Sequence, residues 1–311
     1  MAVAEFELIR RYLQPQAFNS VTTVLGIGDD CALLSVPAGH HLAITTDTMV
    51  ENVHFFAGAD PEALGHKLLA VNLSDLAAMG AEPVSVTLSL TLPKADEIWL
   101  AAFARGFFAL AKRYQVDLIG GDTTCGPLSL TLQAFGLVPE GKALRRSSAK
   151  PGDNIYLTGL LGDAGLGLKI IQGYSGIDDE HALKRFHRPD PRVEAGLALR
   201  NIASACIDVS DGLAGDLQHI LQQSGVGACL SWQNLPLSAG VRTYLEQTGD
   251  WRMPLTAGDD YELCFTAPPD RILTLPITFS QIGVIEQEPG LRLLRSGGKE
   301  ELKVKGFEHF S

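Results

Sequence analysis

A chain of 311 residues, 46% hydrophobic and 20% charged, is too long for one small core and is expected to fold as two domains. Its formal net charge of −11 argues against nucleic acid or an anionic membrane surface as the main partner. Cysteines at 31, 125, 206, 229 and 264 form no C-x-x-C pair, which argues against a zinc site or a disulfide framework.

In chain order, residues 5–14 are predicted as a short amphipathic helix with Phe6, Ile9 and Leu13 on one side. Strand-like runs follow at 21–27, 31–36 and 41–46. A helix is expected over 61–80, opened by Pro61, carrying Leu64, Leu68 and Val71, and ended by Gly80. Alternation at Val84, Val86, Leu88, Leu90 and Leu92 predicts a strand at 83–92, stopped by Pro93. Asp96 and Glu97 open a second helix over 96–114, and strands at 116–119 and 128–138 complete the first half. The small polar joint from Ser147 to Asp153 is the expected boundary, giving domains 1–146 and 147–311. Beyond it come a strand at 154–158, a helix at 163–172, a polar stretch at 176–190 and a helix at 191–203. A strand at 205–209, a helix at 212–224 and strands at 227–231 and 261–266 follow, with short strands to the end. The polar stretch, with His181, Arg185, His187 and Arg188, reads equally as a mobile lid or a solvated loop. Such mixing predicts two α+β or α/β domains. The acidic N-terminus and the absence of any long apolar run predict a cytoplasmic protein with no membrane span.

Short acidic turns are expected after the apolar runs: Gly28-Asp29-Asp30, Thr45-Thr46-Asp47, Gly120-Gly121-Asp122, Asp208 to Gly212, and Gly258 to Glu262. A further acid, Asp75, lies three residues after Asn72 on one face of the predicted helix. Any one of these motifs alone reads as a turn or a polar face. Gathered carboxylates, however, repel one another and need a cation. Mg²⁺, which takes a few carboxylates plus substrate phosphates, is the natural choice, and it also lets an acidic protein accept anionic substrates. The neighbouring glycines let backbone approach a ligand, and Thr45 and Thr46 offer hydroxyl oxygens. The set therefore points to metal-assisted phosphate chemistry.

Other signals are weaker. Gly136 to Lys142 has P-loop spacing, but Ala143 stands at the Ser/Thr position, so the stretch reads as a chance match in a hairpin. His54 alone reads as a surface or core histidine. Arg145, Arg146 and Lys150 form a basic cluster that is either a phosphate clamp or a solvated loop. No Gly-x-Ser-x-Gly elbow is present, which disfavours acyl chemistry.

The ordered set resembles the thiamine-monophosphate kinase family, within the ATP-binding superfamily that includes aminoimidazole ribonucleotide synthetase. The matching stretches are 26–33, 45–48, 71–81, 118–124, 149–153, 207–213 and 258–263, with 306–310 resembling the family's C-terminal end. The resemblance implies transfer of the γ-phosphoryl group of ATP to thiamine monophosphate, giving thiamine diphosphate and ADP, by direct in-line transfer assisted by several Mg²⁺ ions. By position it implies Mg²⁺ ligands at Asp30, Thr45, Thr46, Asp47, Asp75, Asp122, Asp208 and Asp211, with Asp47, Asp75 and Asp122 at the catalytic centre. Gly121, Asp122, Arg146 and Ser210 match nucleotide contacts; His54, Glu262 and Phe307 match contacts to the thiamine substrate. The implied fold is PurM-like. Its N-terminal domain binds ATP and Mg²⁺ and pairs its sheet across a homodimer, and its α/β C-terminal domain completes the substrate site. The acceptor phosphate is already ionised near neutral pH, so positioning and charge neutralisation suffice without a strong base. Rival readings are another ATP-dependent enzyme of the same superfamily, a non-catalytic nucleotide-binding or metal-sensing protein, and a metal phosphohydrolase.

Overall fold

The computed structural model describes residues 5–14, 22–272 and 277–303. The chain divides into two units: Met1–Leu76 with Ala81–Gly141, and Ala77–Gly80 with Lys142–Ser311.

In the first unit α1 (Glu5–Leu8) runs into a π-helical turn, Ile9–Leu13, and β1 (Thr23–Leu25) pairs antiparallel with β2 (Leu33–Leu34). Then come β3 (His40–Val50), α2 (Pro61–Ala78), β4 (Glu82–Leu92), α3 (Glu97–Tyr114), β5 (Asp117–Cys125) and β6 (Ser129–Pro139). Asp96 caps α3 by accepting the N–H groups of Ile98 and Trp99, each at 3.1 Å. The four-stranded sheet has the order β3-β6-β4-β5, so β3 and β5 are its two edges. Only the β4–β5 pair is parallel, joined by the α3 crossover.

Strand alternation gives this sheet one apolar and one polar face. Val86, Leu88 and Leu90 of β4 and Leu130, Leu132 and Ala134 of β6 are buried. Thr46, Thr48, Thr131, Gln133, Ser89 and Asp122 share the opposite face by register, with Thr48 and Thr131 hydroxyls 2.9 Å apart.

Two of the expected turns are strand interiors. Thr45–Asp47 lie inside β3, opposite Leu132–Ala134, and Gly120–Asp122 lie inside β5, opposite Thr87–Ser89. Threonines suit the pleat, and pairing with β6 extends β3 well past the apolar run 41–46. Gly121 has φ +152°, and a side-chain carbon there would sit 1.8 Å from the Leu88 carbonyl oxygen. Only glycine passes β4 that closely.

The second unit contains β7 (Asn154–Thr158), α4 (Asp163–Ile171), α5 (Glu180–His187), α6 (Val193–Leu199), β8 (Ala205–Asp208), α7 (Leu213–Ser224) and β9 (Gly227–Ser231). It continues with α8 (Ala239–Thr248), α9 (Met253–Thr256), β10 (Leu263–Ala267), β11 (Phe279–Glu286), β12 (Gly290–Arg295) and β13 (Gly298–Glu301). The seven-stranded sheet has the order β13-β12-β9-β11-β7-β10-β8, with only β9 and β12 parallel. Its core joins sheet residues such as Ile155, Leu157, Ile207 and Leu230 to Leu213, Leu217 and Ile220 of α7.

The polar stretch expected as a lid or loop contains α5. Asp179 caps it, and Ala182 and Phe186, four apart, bury one narrow stripe under an otherwise charged surface. The helices α8 and α9 occupy a region where no element was expected. Among the described residues, no helix is long and apolar enough to cross a membrane.

Candidate functional site

In the first unit, β3 and α2 present one group of predicted residues. Thr45 and Asp47 alternate onto the same face of β3, and the Thr45 hydroxyl donates a short hydrogen bond to Asp75 Oδ2 on α2. Thr46 points the other way, its hydroxyl accepting from Gln133 at 3.3 Å. At the end of β3, Asn52 with φ +64° turns the chain, and His54 Nδ1 accepts the Val50 N–H at 3.0 Å. That bond fixes the histidine tautomer with its proton on Nε2. Asn72, on α2, is fully buried; its amide donates to Leu68 O at 3.0 Å while its Oδ1 has no partner. Asp30 is exposed, its N–H bonded to Asp29 Oδ1 at 3.0 Å.

Gly121 and Asp122 lie on β5, at the far edge of the same sheet. Three strand spacings separate them from β3, about 14 Å along the sheet. Asp47 and Asp122 of one chain therefore do not meet. Consistently, no three or more His, Cys, Asp or Glu side chains are gathered to hold a metal among the described residues. The donor chemistry nonetheless suits Mg²⁺, which is commonly held by one or two carboxylates with water and substrate phosphates completing its shell.

In the second unit, β8 ends at Asp208, which is 3% exposed, and the chain turns through Ser210 and Asp211 into α7. Arg145 runs beside β8, its carbonyl accepting the Cys206 N–H at 3.0 Å, and the following Arg146 is exposed. Asp216 in α7 is buried, and its carboxyl is pushed up to about 7 by that burial and by the negative charge of Asp211. Two backbone N–H groups and the charge of Arg146 oppose the rise. Arg146, Ser210 and Asp211 thus share one neighbourhood.

Glu262 sits at the start of β10 and is 1% exposed. Arg192 grips it bidentately, with Nε to Oε2 and Nη2 to Oε1, each at 2.5 Å. Arg185 of α5 adds a bond to Oε1 at 3.0 Å, and the Thr158 hydroxyl donates to Oε2 at 2.7 Å. Burial raises the Glu262 carboxyl from its usual value, and Arg192 and then Arg185 pull it back. Asp260, two residues earlier, is buried and accepts the Gly162 N–H at 2.9 Å at the start of α4; burial holds its carboxyl well above the ordinary range. Phe307, also predicted, lies outside the described residues.

Sequence reasoning gave no role to Arg192, Thr158 and Asp216, named Arg185 only within the polar stretch, and took Asp260 only as part of the Gly258 to Glu262 turn. The two arginines lay in or beside a stretch read for its polarity, and only the tertiary fold pairs them with Glu262. Asp216 carried a faint signal, an acid in the first turn of a helix.

Two protein families match the chain: the AIR synthase related protein N-terminal domain over residues 28–138 and its C-terminal domain over residues 150–294. The thiamine-monophosphate kinase of Salmonella typhimurium is 47% identical over 323 residues, covering 100% of this chain and 99% of that protein. Among solved structures, the thiamine-monophosphate kinase of Stenotrophomonas maltophilia matches with a TM-score of 0.86 at 44% identity, over 94% of this chain and 97% of that one. AaThiL complexed with AMPPCP and TMP matches with a TM-score of 0.80 at 29% identity, over 98% and 96%.

Proposed function

The chain belongs to the thiamine-monophosphate kinase family, built from the two AIR synthase related domains, and from that premise we propose how its own residues carry the reaction. It is an ATP-dependent kinase that phosphorylates thiamine monophosphate to thiamine diphosphate and releases ADP. Thr45, Asp47 and Asp75 form one half of an Mg²⁺ and nucleotide-phosphate site, and Gly121 with Asp122 forms the other; Thr46, from the opposite face of β3, and Asp30 complete the ligand set. On the second unit, Asp208 and Asp211 are further Mg²⁺ ligands, and Arg146 and Ser210 contact the nucleotide. His54 and Glu262 hold the acceptor, with Phe307 in the same role. The first unit thus carries most of the nucleotide and metal ligands, together with His54 and the dimerising sheet, and the second completes the metal, nucleotide and acceptor sites.

The observation that carries this reading is the placement of the acids on the two opposite edges of one sheet. An eleven-residue edge strand with exposed Ile44 is open to strand pairing. In a homodimer, β3 of one copy lies beside β5 of the other, and each pairing assembles one set of acids from two chains. Mg²⁺ supplies charge neutralisation between two phosphate anions and polarisation of the transferring group. The protein's share is to hold those ligands, orient donor and acceptor in line, and keep His54 as an Nε2–H donor. No residue needs to act as a strong base, because the attacking phosphate oxygen is already ionised.

The test is Asp→Asn at Asp47 and at Asp122, assayed with ATP, thiamine monophosphate and titrated Mg²⁺. Loss of turnover with a raised Mg²⁺ requirement is expected in both. Wild-type turnover in both variants refutes the assignment.

A further inference from the structure

Asp216 lies in the first turn of α7 and is 3% exposed. One oxygen, Oδ2, accepts the backbone N–H groups of two consecutive residues, Ser210 and Asp211, each at 3.0 Å. The Asp216 N–H in turn donates to Gly212 O at 3.0 Å, so side chain and backbone together close the loop between β8 and α7. From the other side, Ser210 O accepts the Asp259 N–H at 2.8 Å, with Asp259 held at φ +69°. The Ser210 peptide is thus pinned at both of its polar groups.

Two adjacent N–H groups bonded to one carboxyl oxygen fix two successive peptide planes, and with them where the Ser210 and Asp211 side chains leave the backbone. Both N–H groups would lose their acceptor with the Asp216 side chain, and a buried donor left unpaired is costly.

We propose that Asp216 is a positioning residue of the kinase, holding Ser210 and Asp211 in the orientation with which they meet nucleotide and Mg²⁺. The inference rests on the roles given above to Ser210 and Asp211. Asp216 itself acts through these two neighbours and touches neither phosphate nor metal.

The test is steady-state kinetics of the full-length protein, varying ATP, Mg²⁺ and thiamine monophosphate separately. The set comprises wild type, Asp216→Ala, Asp216→Asn, Ser210→Ala and Asp211→Asn. Asp216→Ala is expected to raise both the KM for ATP and the half-activating Mg²⁺ concentration about tenfold, the scale of a buried N–H left without its acceptor. The KM for thiamine monophosphate should stay within about twofold, below the scale of one hydrogen bond. Asp216→Asn keeps an acceptor oxygen and should recover to within about threefold of wild type. If Asp216→Ala does not fold, Asp216→Glu, which displaces the carboxylate by one methylene, should show the same split between ATP and acceptor. Wild-type constants in Asp216→Ala, or an equal rise in both KM values, overturns the inference while Ser210→Ala and Asp211→Asn remain impaired. Unaltered ATP and Mg²⁺ dependence in those two variants overturns the ligand assignment instead, and the role of Asp216 falls with it.

Discussion

Asp47 and Asp122 show how little of a side chain's role is contained in its immediate sequence. Each sits inside a strand and is placed by pairing, Asp47 opposite Leu132 and Asp122 opposite Ser89. Replacing a charge that meets developing transition-state charge typically costs about 10²-fold or more in kcat. Asp47→Asn and Asp122→Asn should each lose at least about that much in a turnover assay, and a loss below tenfold in either would remove that residue from the centre. The buried Glu262 gives a prediction about stability. Arg192→Ala leaves Arg185 as the remaining cationic partner of Glu262 among the described residues, and breaking a buried pair from one side costs about 3 kcal/mol or more. Chemical denaturation should show that drop; an unchanged midpoint would mean the Arg192 contact carries no weight in the fold.

Elements were legible where local chemistry set them. Asp96 capping α3, Pro61 opening α2 and the apolar alternation of β4 all stand in the sequence. Residues Thr45–Asp47 and Gly120–Asp122 read as turns because glycine and aspartate usually break strands, whereas here partner strands impose extension over both. The helix α5 was hidden because its buried stripe is only Ala182 and Phe186. Helix packing adds a contact with no sequence signature. At Gly106 of α3 a side-chain carbon would fall 1.8 Å from the Glu62 carbonyl oxygen, and at Gly65 of α2 one would fall 2.1 Å from that of Phe103. The two helices touch through glycine backbones. Gly106→Ala should therefore force them apart at a cost of about 3 kcal/mol, read as a lowered unfolding midpoint. A variant as stable as the parent would contradict the contact.

At the scale of the whole molecule, the sequence carried the two-part organisation and the family, and it carried the acidic residues themselves. What it did not carry was their division between opposite edges of one sheet, since strand order is a property of pairing and not of any local run. That division leads to a prediction about assembly. If the proposed dimer shares its sites, Asp47→Asn and Asp122→Asn subunits mixed under conditions that let dimers exchange should form some dimers in which one shared site carries neither substitution. Random exchange in a two-fold dimer should restore about a quarter of wild-type turnover. Restoration absent despite demonstrated exchange would mean that each chain builds its site alone. Ile44→Lys on the exposed face of β3 should shift sedimentation toward the monomer and reduce turnover with it. The most direct measurement is an assay with ATP, Mg²⁺ and thiamine monophosphate that follows ADP and thiamine diphosphate together, with and without EDTA. Equal amounts of both products, formed only when divalent metal is available, are predicted. ADP without thiamine diphosphate, or product formation that survives EDTA, would contradict the account.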